Sequence, residues 1–250
     1  MNNTAQPHPK FSIITVTYNA GKVLEDTIQS VVFQTYRNVE YILVDGGSTD
    51  NTLDIAYKYN DRISKIISEP DKGLYDAMNK GIAQAKGDFL WFINAGDEIY
   101  ATDTLANIVA AATKYTDIMY GKACIVNAVG QKVSEHHKTT PPNLRLVHLL
   151  NGLVVSHQAI IVRRSIVANY DTTYRICADY DWVIKCVRDS RQNVYMDDYL
   201  CKFLIGGVSR TQRQRAWKER FQIMRAHFGL WRTLWAHFLI ALKYPFTIKY

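Results

Sequence analysis

The sequence has no pair of cysteines at the spacing of a zinc knuckle or a redox motif. Its four cysteines, Cys124, Cys177, Cys186 and Cys201, are scattered, which excludes CxxC chemistry. Reduced, structural thiols in a cytosolic chain are the expectation. No apolar run reaches the roughly 18 residues that a membrane-spanning helix needs. The first ten residues, MNNTAQPHPK, are polar, and FSIITV after them is too short for the core of a secretion signal. Low-complexity runs and internal repeats are absent too. The turn after the first β-rich run reads TYNAGK, not G-x-G-x-x-G, and no G-x-x-x-x-G-K-[ST] occurs. A dinucleotide oxidoreductase and a P-loop nucleotidase are thereby set aside. With 48% hydrophobic and 21% charged residues, the 250-residue chain suits one large α/β domain, or one domain with an appendage.

Acidic side chains are nearly missing from one stretch. Arg210 to Tyr250 holds nine Lys or Arg and a single acid, Glu219, for a charge of +8, while the first 209 residues sum to −1. A neutral body without a basic groove is a poor fit to nucleic acid, and no nucleic-acid partner is expected. The asymmetry divides the chain into a body, 1–209, and a basic, aromatic helical tail, 210–250, with different jobs.

What is present alternates. FSIITVT (Phe11–Thr17), VEYILVD (Val39–Asp45), RISKIISE and DFLWFIN are β-rich runs of buried-strand length. Between them GKVLEDTIQSVVFQ, the segment from GGSTDNT onward and LYDAMNKGIAQAKG read as helices. Ser48 or Thr49 is placed to cap the second and Gly87 to stop the third. Four strands alternating with three helices predict a parallel α/β sheet. Further on, the pattern predicts a helix over Ala101–Lys114 and a strand at DIMYGKACIV. A hairpin tip or mobile loop follows at GQKVSEHHKTTPP, then a strand at VVSHQAIIVRR and a helix over Asp179–Ser190. NVYMDDYLCKFLIGGVS closes the body.

A parallel sheet gathers ligand groups at the carboxyl ends of its strands. Those ends read Thr17-Tyr18-Asn19, Asp45-Gly46-Gly47-Ser48, Glu69-Pro70-Asp71-Lys72-Gly73 and Asn94-Ala95-Gly96-Asp97. Turns favour Asp, Asn and Gly for their own reasons, so one such end says little. All of them on one edge predict a site. A polar and aromatic cradle with several acids suits a nucleotide-sugar, whose phosphates share a hard cation with one or two carboxylates.

FSIITVTYNAGKVLEDTIQSVVFQTYRNVEYILVDGGSTDNT, followed by SEPDKGLYDAMNKGIAQAKGDFLWFINAGDE, resembles the inverting family 2 glycosyltransferases, and most of all the branch serving bacterial capsule, O-antigen and exopolysaccharide synthesis. The resemblance runs from about Phe11 to Ser209. It implies an α/β, GT-A nucleotide-diphospho-sugar transferase fold with a mainly parallel central sheet. The nucleotide-binding half would be about 11–100 and the acceptor half about 101–209. Thr17, Tyr18 and Asn19 would line the base, and Asp45 would meet base or ribose. The second Asp usual after Asp45 is Gly46 here. Asp71, Lys72 and Asp76 fall in the donor groove. The usual D-x-D or D-D reads NAGD, so Asp97 would hold a divalent cation, Mn2+ or Mg2+, with Asn94 nearby. Inverting transfer needs a general base. The family's E-D pair at a helix start is Ala178-Asp179 here, which gives Asp179 that role, with Asp181 the runner-up. His157 is either a contact for acceptor or diphosphate or a satisfied core histidine.

The implied activity is hexosyl or N-acetylhexosaminyl transfer, with inversion, from a nucleotide-diphosphate donor to a lipid-linked glycan acceptor. A non-catalytic nucleotide-sugar-binding subunit is the alternative, prompted by Gly46 and NAGD. In the tail, Trp217, Phe221, Met224 and Phe228 fall near one helical face, and LWRTLWAHFLIALKYPF is apolar but broken by Arg232 and His237. Basic residues with Trp, Phe and Leu predict an interfacial helix. That places the protein in the cytoplasm, peripheral on the inner face of a bacterial plasma membrane. Helices packed on the body, or on a second subunit of a homo-oligomer, are the other reading.

Overall fold

The computed structural model describes residues 8–127, 130–135, 140–205 and 212–247. The first half alternates as expected: β1 (Phe11–Thr17), α1 (Leu24–Val32), β2 (Val39–Asp45), α2 (Thr52–Tyr57), β3 (Lys65–Ser68), α3 (Leu74–Gln84) and β4 (Phe89–Phe92). β1 is buried at every position, as a strand covered on both faces must be. It pairs in parallel with β2 and β4, and β2 pairs in parallel with β3. The register sets Thr17 opposite Asp45 and Asp45 opposite Ser68, so three strand ends finish side by side.

The second half contributes β5 (Glu98–Ile99), α4 (Thr104–Ala111), β6 (Ile118–Val126), β7 (Lys132–Glu135), α5 (Leu146–Leu149), β8 (Ile160–Arg163), α6 (Ala178–Asp189) and β9 (Asn193–Leu204). Among the described residues these strands join one sheet in the order β3-β2-β1-β4-β8-β6-β9-β5, with β7 on β6. β8 runs antiparallel to β4 and β6, and β6 and β9 restore the parallel direction. The fold is α/β with a mainly parallel sheet and a helical C-terminal part.

Several local expectations change. Neither Ser48 nor Thr49 caps α2, which starts only at Thr52; Asp50 instead accepts the Thr52 amide at 3.0 Å. α3 ends at Gln84, and Gly87 is required by crowding: a Cβ there would lie 2.6 Å from the Ser12 amide nitrogen. The run predicted as a strand from Val154 pairs only from Ile160, because His157–Ala159 forms a 3₁₀ turn. The predicted helix Ala101–Lys114 shrinks to α4. The polar patch after Gly130 does form a hairpin arm, β7, while its residues 136–139 lie outside the described residues.

The tail forms a hairpin of α7 (Arg213–Phe228) and α8 (Leu230–Thr247), turning at Gly229 with φ 82°. α7 packs on α6 and buries Ile223 and Met224 completely. The compositional boundary after residue 209 is therefore no break in packing. Trp217 and Phe221 meet His237 of α8 edge-on, so the face predicted from spacing is split between body and hairpin. α8 leaves Trp231 82% and Trp235 63% exposed, with Phe238 and Leu242 also open to solvent. Among the described residues no helix is long and apolar enough to cross a membrane.

Candidate active site

The ends of β1 and β2 are tied together by one carboxylate. Asp45 is fully buried, and its Oδ2 accepts the Gly47 amide at 3.1 Å, the Ser48 amide at 3.0 Å and the Ser68 hydroxyl at 2.7 Å. Its Oδ1 takes the Ser48 hydroxyl. Ser48 Oγ in turn accepts the Asn19 amide at 2.8 Å, and Asn19 Oδ1 accepts the Thr49 amide at 2.9 Å. Asn19 adopts φ 47°, a left-handed conformation that asparagine tolerates better than most residues. Asp45 thus shapes the turn with both of its oxygens, the role the structure shows for it. Tyr18 projects into solvent. Thr17 is buried, and its hydroxyl has no partner.

The loop after β3 folds back over this end. Asp71 Oδ1 accepts the Gly73 amide at 2.8 Å, and Gly73 has φ 122°, which excludes an ordinary side chain. Asp71 Oδ2 fills the space that a Cβ on Gly46 would take, with the Tyr18 ring beside the same spot. Asp76 folds the loop: its carboxylate accepts the Lys72 amide at 3.0 Å and stands 3.8 Å from the Lys80 ammonium. Lys72 points outward, and its carbonyl receives the guanidinium of Arg175.

At the end of β4, Asn94 Oδ1 is buried without a partner. Asp97 turns away from the edge. Its Oδ1 accepts the Leu204 amide at 3.2 Å and its Oδ2 the Gln158 side-chain amide at 3.0 Å. Burial pushes its carboxyl up to about 7. A hard cation needs several oxygen ligands presented together. Among the described residues no three His, Cys, Asp or Glu side chains converge in that way. Asp97 therefore does not fit the predicted role of resident metal ligand: each of its oxygens is already held by a hydrogen bond, and no cluster of acids converges on it among the described residues.

His157 resolves as a core histidine. Its Nε2 bonds the Tyr170 hydroxyl, and its ring packs against Phe92 and Trp182. Burial drives its pKa down to about 4, so it is neutral and fully enclosed.

The start of α6 carries the acids. Asp179 Oδ1 accepts the Tyr180 amide at 2.8 Å, and burial, the largest effect, pushes its pKa up to about 6. The Tyr75 hydroxyl stands beside it and donates to the Ile176 carbonyl at 2.8 Å. Asp181 lies on the other side. His227 Nε2 is 2.6 Å from its Oδ1, and the Lys185 ammonium is 2.6 Å from its Oδ2. Arg188 meets His227 Nδ1, which leaves Nε2 as the ring's donor. Asp181 is buried by this clamp and is not placed to take a proton from a ligand.

The structure thus brings Tyr18, Asp71, Lys72 and Asp179 around the adjoining starts of α3 and α6. It directs Asp45, Asp76 and Asp97 to structural partners and buries His157. Two residues escaped the sequence reading. Arg175 gave no signal among so many arginines. Glu219 gave one, as the lone acid of the tail, and its carboxylate sits at the foot of α6.

A family model described as Glycosyl transferase family 2 matches residues 12–171. A PGL/p-HBAD biosynthesis glycosyltransferase of Mycobacterium bovis is 36% identical over 192 residues, covering 71% of this chain and 70% of that protein. The crystal structure of S. aureus TarS 1-349 in complex with UDP-GlcNAc is similar at a TM-score of 0.69 and 21% identity, covering 96% of this chain and 76% of that one. The mannosyltransferase PcManGT from Pyrobaculum calidifontis, in complex with GDP-Man and Mn2+, is similar at a TM-score of 0.61 and 17% identity, covering 95% and 75%. At such identities the two structures speak for the fold.

Proposed function

The chain belongs to glycosyl transferase family 2, and on that premise we propose that this glycosyltransferase moves one sugar, with inversion, from a nucleotide-diphosphate donor to a lipid-linked glycan of a bacterial surface polysaccharide. One observation carries the reading: the donor loop 69–73 and the base Asp179 are held against each other, Arg175 to Lys72 and Tyr75 to Ile176. Tyr18 offers an exposed ring for the base, Asp71 a carboxylate for base or ribose, and Thr17 and Asn94 unpaired oxygens for ligand donors. Lys72 and Arg175 supply cations for the diphosphate.

In the proposed reaction the acceptor hydroxyl attacks the anomeric carbon from the face opposite the diphosphate. Asp179 takes the hydroxyl proton as the bond to the β-phosphate oxygen breaks. The nucleoside diphosphate leaves with that electron pair. A single displacement inverts the anomeric carbon. No step is assigned to a metal, because Asp97 does not fit one.

The exposed stripe of α8, Trp231, Trp235, Phe238 and Leu242, on a tail of +8, supports docking on an anionic leaflet, where a lipid-linked acceptor resides. Each basic residue near such a surface contributes about 1 kcal/mol.

The test is a hydrolysis screen of UDP-, GDP- and dTDP-sugars with the full chain. Release of one nucleoside diphosphate, lost in Asp179→Asn, supports the reading. Donor binding by calorimetry with no turnover on any donor would return the non-catalytic subunit.

A further inference from the structure

We propose that the C-terminal hairpin is part of the catalytic centre, with Glu219 of α7 as the residue that positions the base-bearing start of α6. This rests on Asp179 as the base.

Helix α6 begins at Ala178 without a side-chain cap of its own. The three residues leading into it, Arg175, Ile176 and Cys177, carry amides that lie outside the helix, and such amides need acceptors. Glu219, on a different helix 41 positions beyond Ala178, provides them. Its Oε1 accepts the Arg175 amide at 3.0 Å, and its Oε2 accepts the Ile176 and Cys177 amides at 2.8 and 3.0 Å. Three successive amides on one carboxylate make a charge-assisted nest. Glu219 is almost fully buried, and Arg215 braces its Oε1 at 2.8 Å. Burial alone would raise its pKa, but the amides and Arg215 outweigh that and hold it below the usual range.

The gripped segment has three duties. The Arg175 side chain crosses to the donor loop at Lys72. The Ile176 carbonyl takes the Tyr75 hydroxyl that flanks Asp179. Cys177 starts the turn that presents Asp179. Moving these amides would shift donor loop, flanking hydroxyl and base together. Eight residues further along α7, His227 holds Asp181 at 2.6 Å, so α7 is fastened to α6 at two points. This explains why the tail's one acid stands where it does.

Glu219 also acts on Asp179 through its charge. The groups facing Asp179 are Tyr75 from α3, Tyr170 and Cys177 from the preceding loop, and Glu219 from α7, with Arg220 beyond Cys177. Glu219 is the negative neighbour among them, and it raises the pKa of Asp179.

The experiment compares Glu219→Gln with the full chain in two readouts. The first is hydrogen exchange at the amides of 175–177, which needs no substrate. Faster exchange there, with the sheet unchanged, is expected; unchanged protection overturns the clamp. The second is the pH profile of UDP-sugar hydrolysis. A fall in kcat of about tenfold or more is expected, with the donor KM less affected, and the acidic limb displaced to lower pH. An unchanged kcat and limb overturns the positioning role even if exchange accelerates. Should Glu219→Gln fail to fold, Glu219→Asp keeps the charge and shortens the reach: faster exchange and a lower kcat are then expected with the acidic limb unmoved, and unchanged exchange and kcat overturn the proposal. Activity retained in Asp179→Asn would defeat the base assignment and leave the exchange result to decide the clamp.

Discussion

Asp71 stands where a side chain on residue 46 would have to go. Its Oδ2 lies 2.3 Å from the Cβ position of Gly46, and the Tyr18 ring is 3.4 Å from the same point. Sequence alone presents Gly46 as a missing acid. The fold shows a carboxylate from the neighbouring loop occupying that space. Gly46→Ala is expected to push Asp71 off this spot and raise the donor KM about tenfold, the scale of one charge-assisted hydrogen bond. Asp71→Asn should do the same with kcat little changed. Steady-state kinetics of both variants decide the point, and a normal KM in both would remove Asp71 from the donor site.

Asp179 is expected to set the acidic limb of the pH–rate profile. Its pKa is raised to about 6, chiefly by burial, and only the deprotonated carboxylate can accept a proton. Turnover should therefore rise with pH through about 6 and level off above. Asp179→Asn should lose roughly 10²–10⁴-fold in kcat and keep donor affinity. A profile flat from pH 5 to 8 would count against it.

The strands and the edge they share were legible because β-rich runs of buried-strand length end in Asp, Asn and Gly. The duties of individual acids were not. Asp45 and Asp97 look like ligands because sequence does not record which way a carboxylate turns. Asp45 meets amides of its own turn, and Asp97 meets Gln158 and Leu204, residues 61 and 107 positions away. His157 was open between two roles, and only the packing of Phe92, Tyr170 and Trp182 decides. In the tail, the face predicted from spacing included Met224 but missed Ile223, and both side chains are buried completely.

Asp97 should betray its burial in stability measurements. A carboxyl whose folded pKa is raised, here from 3.8 to about 7, stabilises the fold fully below the lower value. That contribution is lost as pH rises through the higher one. The Tm difference between Asp97→Asn and the parent should move in favour of the variant from pH 5 to 8. Mn2+ titrated into the donor-free chain should show no saturable site that Asp97→Asn removes. A tight site lost in the variant would restore the metal role.

His227→Ala should cost stability and leave the chemistry alone. It strips Asp181 of a 2.6 Å partner, and a buried group left unpaired costs about 1–3 kcal/mol. A lower Tm with kcat per folded molecule near normal is expected. If Asp181→Asn instead collapses kcat while Asp179→Asn does not, the base is Asp181.

Trp231→Ser with Trp235→Ser should weaken co-sedimentation with anionic vesicles at every salt concentration, because these rings supply the apolar share of the contact. The parent should be released only in part by high salt, which screens the basic residues alone. A parent that ignores such vesicles at low salt would make the stripe of α8 a protein contact.

The position of Glu219 also has a consequence for how the protein is made. Every strand described in the sheet precedes α7 in the chain, so the strands leave the ribosome before the helix that carries Glu219. The carboxylate that grips residues 175–177 therefore emerges after the segment it holds. If Asp179 is the base, synthesis itself delays competence: the segment leading into α6 stays unsecured until the helix carrying Glu219 has emerged and docked.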